Sequence, residues 1–189
     1  ISPRALMKRV YESAVSYART FSTASESLLF MGATGLGKTL LSGCIARAVA
    51  DRGYSVCYVS AGKLFSDFET EKFRLKEDGA LTGEYLQTDL LIIDDEDRDR
   101  SQYLLECDLL IIDDLGTEMT TQFTVSALYQ IVNGRLLSGK PTIVSTNLPD
   151  TELEARYSAQ IASRLLGAYT LYQFCGTDVR LLRKMESRG

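Results

Sequence analysis

The densest chemistry in this chain lies in eight consecutive residues, Gly32-Ala33-Thr34-Gly35-Leu36-Gly37-Lys38-Thr39. They fit the spacing GxxxxGK[ST], in which glycines let the backbone curl until successive N–H groups face one anion. A helix opening at the end of such a loop adds its positive end to the same site. A lysine placed as Lys38 is reaches the β- and γ-phosphates of a nucleotide, and the hydroxyl of Thr39 is a ligand for Mg²⁺. A cradle of this kind also needs a metal-holding acid at the end of a neighbouring strand. Asp113 follows the apolar run Leu109-Leu110-Ile111-Ile112 and is the residue expected there. Asp114 comes next, placed to orient an attacking water, and Glu118 stands close enough in sequence to compete for that role. Ser145-Thr146-Asn147 closes another apolar run, so Asn147 is expected at the same edge. A neutral amide there holds water against the γ-phosphate; an asparagine before Leu148-Pro149 is equally an ordinary turn former.

These residues need a strand before the loop and a helix after it, and the sequence supplies both. Residues 28–31 form a short apolar run closed by Gly32, which reads as a buried strand. Residues 38–51 place Leu41, Cys44, Ile45, Ala48 and Val49 on one helical face, with Gly53 as the stop. Further strands are expected at 56–59, 109–112, 142–145 and 169–174, and further helices at 6–21, 63–73 and 123–137. Thr151-x-x-Glu154 reads as a capping box opening another helical stretch. Strands that alternate with helices predict an α/β fold with a parallel sheet covered on both faces.

One segment occurs twice. Asp89–Asp95, DLLIIDD, returns letter for letter at Asp108–Asp114. The first copy runs into the charge cluster Glu96-Asp97-Arg98-Asp99-Arg100, and the second into a well-formed helix. A parallel α/β unit needs that helix, so the second copy is read as the functional strand. The first is an extra edge segment or a local duplication.

Composition narrows the class. The 189 residues suit one domain, and 45% hydrophobic with 24% charged residues excludes a disordered chain. With 21 basic and 25 acidic residues the net charge is −4, so no bulk basic field draws the chain onto nucleic acid or anionic membrane. Four cysteines lie far apart without a CxxC, and there is no histidine, which excludes a Cys/His zinc site; buried, reduced thiols are expected. No apolar run approaches the ~18–20 residues of a membrane helix, and no secretory leader opens the chain. Because residue 1 is isoleucine, the sequence reads as a fragment of a longer protein, with 1–189 as a single domain.

The motifs GATGLGKT (32–39), LLIIDDLGTE (109–118), TIVSTN (142–147), IASRLLG (161–167) and GTDVR (176–180), in this order, resemble the DnaC/IstB-like group of AAA+ ATPases. These are bacterial helicase loaders and transposition helpers, and the resemblance runs over about residues 6–184. It implies a P-loop NTPase of AAA+ type, with a five-stranded parallel sheet ordered 5-1-4-3-2 between helices. It implies ATP or ADP with Mg²⁺, and ATP hydrolysis in DNA replication. Asn147 is then the sensor on the fourth strand, Arg164 the arginine finger offered to a neighbouring subunit, and Arg180 the second sensor, contacting nucleotide in its own subunit. Implied partners are a DnaB-like replicative helicase or a transposase, single-stranded DNA, and further copies of the chain in a ring or spiral. The implied setting is the cytoplasm, with no membrane, and the loaders' N-terminal helicase-binding region does not precede Ile1 here.

Two features depart from the pattern. Many AAA+ members carry Asp-Glu where this chain has Asp113-Asp114, and the repeated strand is foreign to it. The stretch Lys72-Phe73-Arg74-Leu75-Lys76 interleaves basic and aromatic residues, as single-strand binders do, and equally fits an amphipathic helix end. Two rival classes are a small-molecule P-loop kinase, whose Arg-rich lid is not evident, and a nucleotide-gated adaptor that does not turn ATP over.

Overall fold

The structure, a computed structural model, describes residues 2–77 and 102–178, the side chains of 71–77 excepted. The first DLLIIDD copy and Arg180 lie outside the described residues, as do the side chains of Lys72–Lys76. In chain order the elements are α1 (Pro3–Thr20), β1 (Leu28–Met31), α2 (Lys38–Ala50), β2 (Val56–Ser60) and α3 (Ala61–Glu77). Then come β3 (Leu109–Leu115), α4 (Gln122–Leu137), β4 (Thr142–Thr146), α5 (Asp150–Tyr157), α6 (Ala159–Ala168) and β5 (Thr170–Gln173). A helical turn at 102–106 leads into β3.

The five strands are parallel and lie side by side as β2-β3-β4-β1-β5, the expected order read from the other edge. The second DLLIIDD copy builds β3. The inner strands β1, β3 and β4 are buried almost throughout, which is why they read as unbroken apolar runs. Their side chains alternate between two cores. Leu29, Met31, Leu110, Ile112 and Val144 face the layer of α3 to α6, against Phe65, Leu128, Leu153 and Leu165. Leu28, Phe30, Leu109, Ile111 and Ile143 face α1 and α2, against Val10, Tyr17, Phe21, Ile45 and Val49.

Three local expectations are corrected. The capping box at Thr151 is absent: α5 starts a residue earlier, at Asp150, with Pro149 at the N-cap and no side-chain cap bond. Thr151 is thus inside the helix, and its N–H donates to Asp150 Oδ1 at 2.9 Å. A capping box instead opens α4, where the Thr121 hydroxyl accepts from Thr124 N–H and the Thr124 hydroxyl accepts from Thr121 N–H. On α2 the buried stripe is Lys38, Ser42, Ile45 and Val49, which turns Cys44 outward. The thiols as a set are therefore not core residues. Cys107 alone is buried; Cys57 on edge strand β2 and Cys175 just past edge strand β5 are half-buried.

Candidate functional site

All five strands end at one edge, and the sequence motifs converge there because the sheet is parallel. Met31 pairs with Thr146 and Gln173, and Ser60 pairs with Asp113, so the strand ends stand level. The loop 32–39 leaves β1, between β4 and β5, at this edge and opens α2 through Gly37, which caps the helix in a left-handed conformation (φ +93°) without any side-chain bond. The N-cap glycine itself offers the first N–H groups of α2 no side-chain acceptor, the arrangement that receives an anion.

Lys38 is 4% exposed, and its Nζ donates to Gly32 O at 2.6 Å and Ala33 O at 2.9 Å. Burial lowers its pKa from the ordinary lysine value, against the opposing pull of Asp114 and Asp113. Thr34 and Thr39 are exposed, and Leu36 packs against the α1–α2 core.

The register of β3 against β4 slips between Ile112 and Leu115, and the acid pair lies in that irregularity. The slip gives the two neighbours opposite environments. Asp113 is buried, its Oδ1 accepting from Ser145 Oγ at 2.5 Å and its Oδ2 from Tyr58 Oη at 2.7 Å. Asp114 is exposed, with φ +55°, and its N–H donates to the same Ser145 Oγ at 2.9 Å. Ser145 therefore spaces the two acids through one hydroxyl. Burial, then the bond to Asp113, raises the Tyr58 pKa, so this phenol stays a donor at neutral pH. Sequence reasoning misses Tyr58, because nothing in an edge-strand tyrosine signals that its hydroxyl meets a neighbouring strand's acid.

Glu118 is 6% exposed and committed to the chain itself. Its Oε2 accepts from Gly116 N–H at 3.0 Å and its Oε1 from the Tyr157 hydroxyl. Asn147 is exposed immediately after β4, between two anchored neighbours: Thr146 Oγ1 donates to Leu115 O at 2.6 Å, and Leu148 is buried. Arg164 lies on α6 and is drawn to α4. Its Nε donates to Asn133 Oδ1 at 2.9 Å and its Nη2 to Tyr129 Oη at 3.0 Å, with the guanidinium 4.6 Å from the centre of the Tyr129 ring. So the loop, Asp113, Asp114 and Asn147 share the sheet edge, whereas Arg164 is held on the helical layer.

The donor set fits a magnesium nucleotide. Thr39 and Asp113 offer hard oxygen ligands, and among the described residues no group of three or more His, Cys, Asp or Glu forms a metal cage. Mg²⁺ at nucleotide sites is held by one or two protein oxygens plus phosphates, which needs no such cage.

Residues 8–97 match the family described as IstB-like ATP binding protein. That span takes in the first DLLIIDD copy and ends before the copy that forms β3. No curated protein matches the chain. Among solved structures it is similar to the DnaC helicase loader (20% identity, TM-score 0.66, 89% of each chain covered). It is also similar to DnaI (20%, TM-score 0.62, 90% of this chain and 82% of that one). A third is AMPPCP-bound DnaA from Aquifex aeolicus (20%, TM-score 0.67, 96% of this chain and 51% of that one), so the chain spans about half of that protein. Sheet order, phosphate loop and strand-end acids define a P-loop NTPase domain with the AAA+ core. Within that class the chain is similar to the IstB-like ATP binding proteins over residues 8–97 and shares its fold with the DnaC and DnaI structures.

Proposed function

We propose that this chain is a single AAA+ domain that binds and hydrolyses Mg-ATP and uses the cycle to load a DnaB-like replicative helicase onto single-stranded DNA in the cytoplasm. The observation that carries the nucleotide reading is the uncapped start of α2 behind a loop whose lysine is buried among loop carbonyls. The 32–39 backbone would hold the phosphates, with Lys38 exchanging its two carbonyl acceptors for phosphate oxygens. Thr39 and Asp113 would hold Mg²⁺, which when bound neutralises charge on the phosphates. Asp114, exposed beside Asp113, takes the water-activating role, and Asn147 holds that water. Glu118 fits the role poorly, since both its oxygens already accept bonds. Arg164 acts as a finger toward a neighbouring copy and must first leave Tyr129 and Asn133; Arg180 is the second sensor. ADP release then resets the chain.

The loader reading is favoured by similarity to a helicase loader over 89% of both chains. The IstB-like match over 8–97 favours a second reading, an ATP-dependent helper of a transposase. Both need the same first step. Calorimetry should show Mg-ATP binding by the parent and about a hundredfold loss in Lys38→Ala with unchanged melting, as befits losing a charged phosphate donor. Equal affinity in the two proteins overturns the site. Adding purified helicase or transposase with ATP then separates the readings by which one is retained.

A further inference from the structure

The chain beyond β5 lies across the phosphate loop. Phe174 N–H donates to Met31 O at 2.7 Å, and its carbonyl oxygen is so close to Gly32 that a β-carbon there would stand 2.4 Å from it. Four residues on, the carboxylate of Asp178 covers Gly35. A β-carbon on Gly35 would lie 2.1 Å from Asp178 Cγ and 2.3 Å from each carboxylate oxygen. Gly35 sits at φ +80°, in the middle of the 32–39 loop, and its bare α-carbon is what allows any group so near the backbone. In phosphate-binding loops a glycine without a side chain is what lets the anion approach the main chain. Here the group making that approach is this chain's own anion.

We propose that Asp178 is a residue of the nucleotide site, a built-in anion that competes with the phosphate chain for the Gly35 face of the loop. The inference rests on the nucleotide reading above and sets how tightly that site closes. A phosphate chain entering the loop meets a like charge within a few ångströms, so the carboxylate must move off Gly35 or weaken binding by its repulsion. Entry of nucleotide thereby displaces the 174–178 segment, which couples occupancy of the loop to the last strand. Such coupling requires the segment to differ in its affinity for the empty and filled loop, and a carboxylate against a phosphate site supplies that difference.

Calorimetry with ADP and with adenosine, on the parent, Asp178→Asn, Asp178→Ala and Lys38→Ala, tests this. Removing the charge should tighten ADP binding about tenfold in both Asp178 variants, the scale of one like-charge contact near a protein surface, while adenosine binding stays as in the parent. Unchanged or weaker ADP binding in both variants, with melting unchanged, overturns the proposal and leaves the nucleotide site standing. An equal gain for adenosine also overturns it, because the carboxylate would then act on the shape of the loop and not on phosphate charge. If the parent and both Asp178 variants bind no ADP, the nucleotide reading itself falls, and the proposal with it.

Discussion

The two edges of the sheet both bury polar atoms, and they use them in opposite ways. At the amino edge the buried polar groups of Arg135, Asp108 and Thr142 bond to the chain itself. Arg135 is fully buried, donating to Leu104 O, Cys107 O, Pro141 O and Thr142 Oγ1 at 2.6–3.1 Å. Nearby, Asp108 Oδ2 accepts from both the N–H and the hydroxyl of Ser55, and Thr142 N–H donates to Ser27 Oγ. The turns leading into β2 and β4 use Gly53 and Gly139 at positive φ, residues that adopt it without strain. At the carboxyl edge the positive φ in β3 falls on Asp114, whose side chain is exposed. Asn147 and Thr39 are exposed there too, and the first N–H groups of α2 have no side-chain cap. Buried polar atoms do not by themselves mark function. The working edge is told by strain on a non-glycine residue and by donors and acceptors that face outward.

The largest expected effect belongs to the amino edge. Arg135→Ala deletes the donor shared by six backbone and side-chain acceptors and leaves a hole among β3, α4 and β4. Denaturant unfolding should show a loss of about 3–5 kcal/mol, the range for removing one partner from a buried charged network. A loss under about 1 kcal/mol would mean that this edge does not carry the fold, and the contrast between the two edges fails.

The next effect separates two acids four residues apart. Asp114→Asn should lower ATP turnover by about a hundredfold, as loss of a general base does, with stability within about 0.5 kcal/mol of the parent. Glu118→Gln should do the reverse. It places an amide donor against Gly116 N–H or the Tyr157 hydroxyl in a buried pocket, a loss of about 1–3 kcal/mol in stability. Normal turnover in Asp114→Asn beside a dead Glu118→Gln would exchange their roles.

Much of the working edge is legible in the sequence. The helices and the convergence of the loop with Asp113 and Asn147 follow from motifs whose spacing is rigid and from strands buried on both faces, whereas the strand order comes only from the family resemblance those motifs carry. What stays hidden depends on contacts between residues far apart in the chain. Tyr58 reaches Asp113 from the adjacent strand, and Ser145 bridges the acid pair only because β3 slips a register that no local pattern announces. Arg135 reads as one basic residue on a helix until its acceptors are assembled from separate segments. The capping box lies at Thr121 and not at Thr151 for a similar reason. A four-residue pattern is met wherever the letters allow, and only the start of the helix decides which one acts.

The smallest effect tests whether the strain at Asp114 is real. Asp114→Ala and Asp114→Gly both remove the carboxylate and should abolish turnover equally. They differ in the backbone. At φ +55° alanine brings its β-carbon against the following carbonyl, whereas glycine meets no such clash. Against this, glycine gains more freedom in the unfolded chain, which takes back part of its advantage. The two terms leave Asp114→Gly more stable than Asp114→Ala by about 0.5–1 kcal/mol in matched denaturant unfolding. The ordering matters more than the size. If the alanine variant is the more stable one, Asp114 sits in β3 without strain, and its left-handed backbone no longer distinguishes the working edge from the closed one. If glycine wins while turnover is lost in both, then the chain keeps a strained, charged residue where a relaxed one would fold better, and the reason must lie in what the carboxylate does.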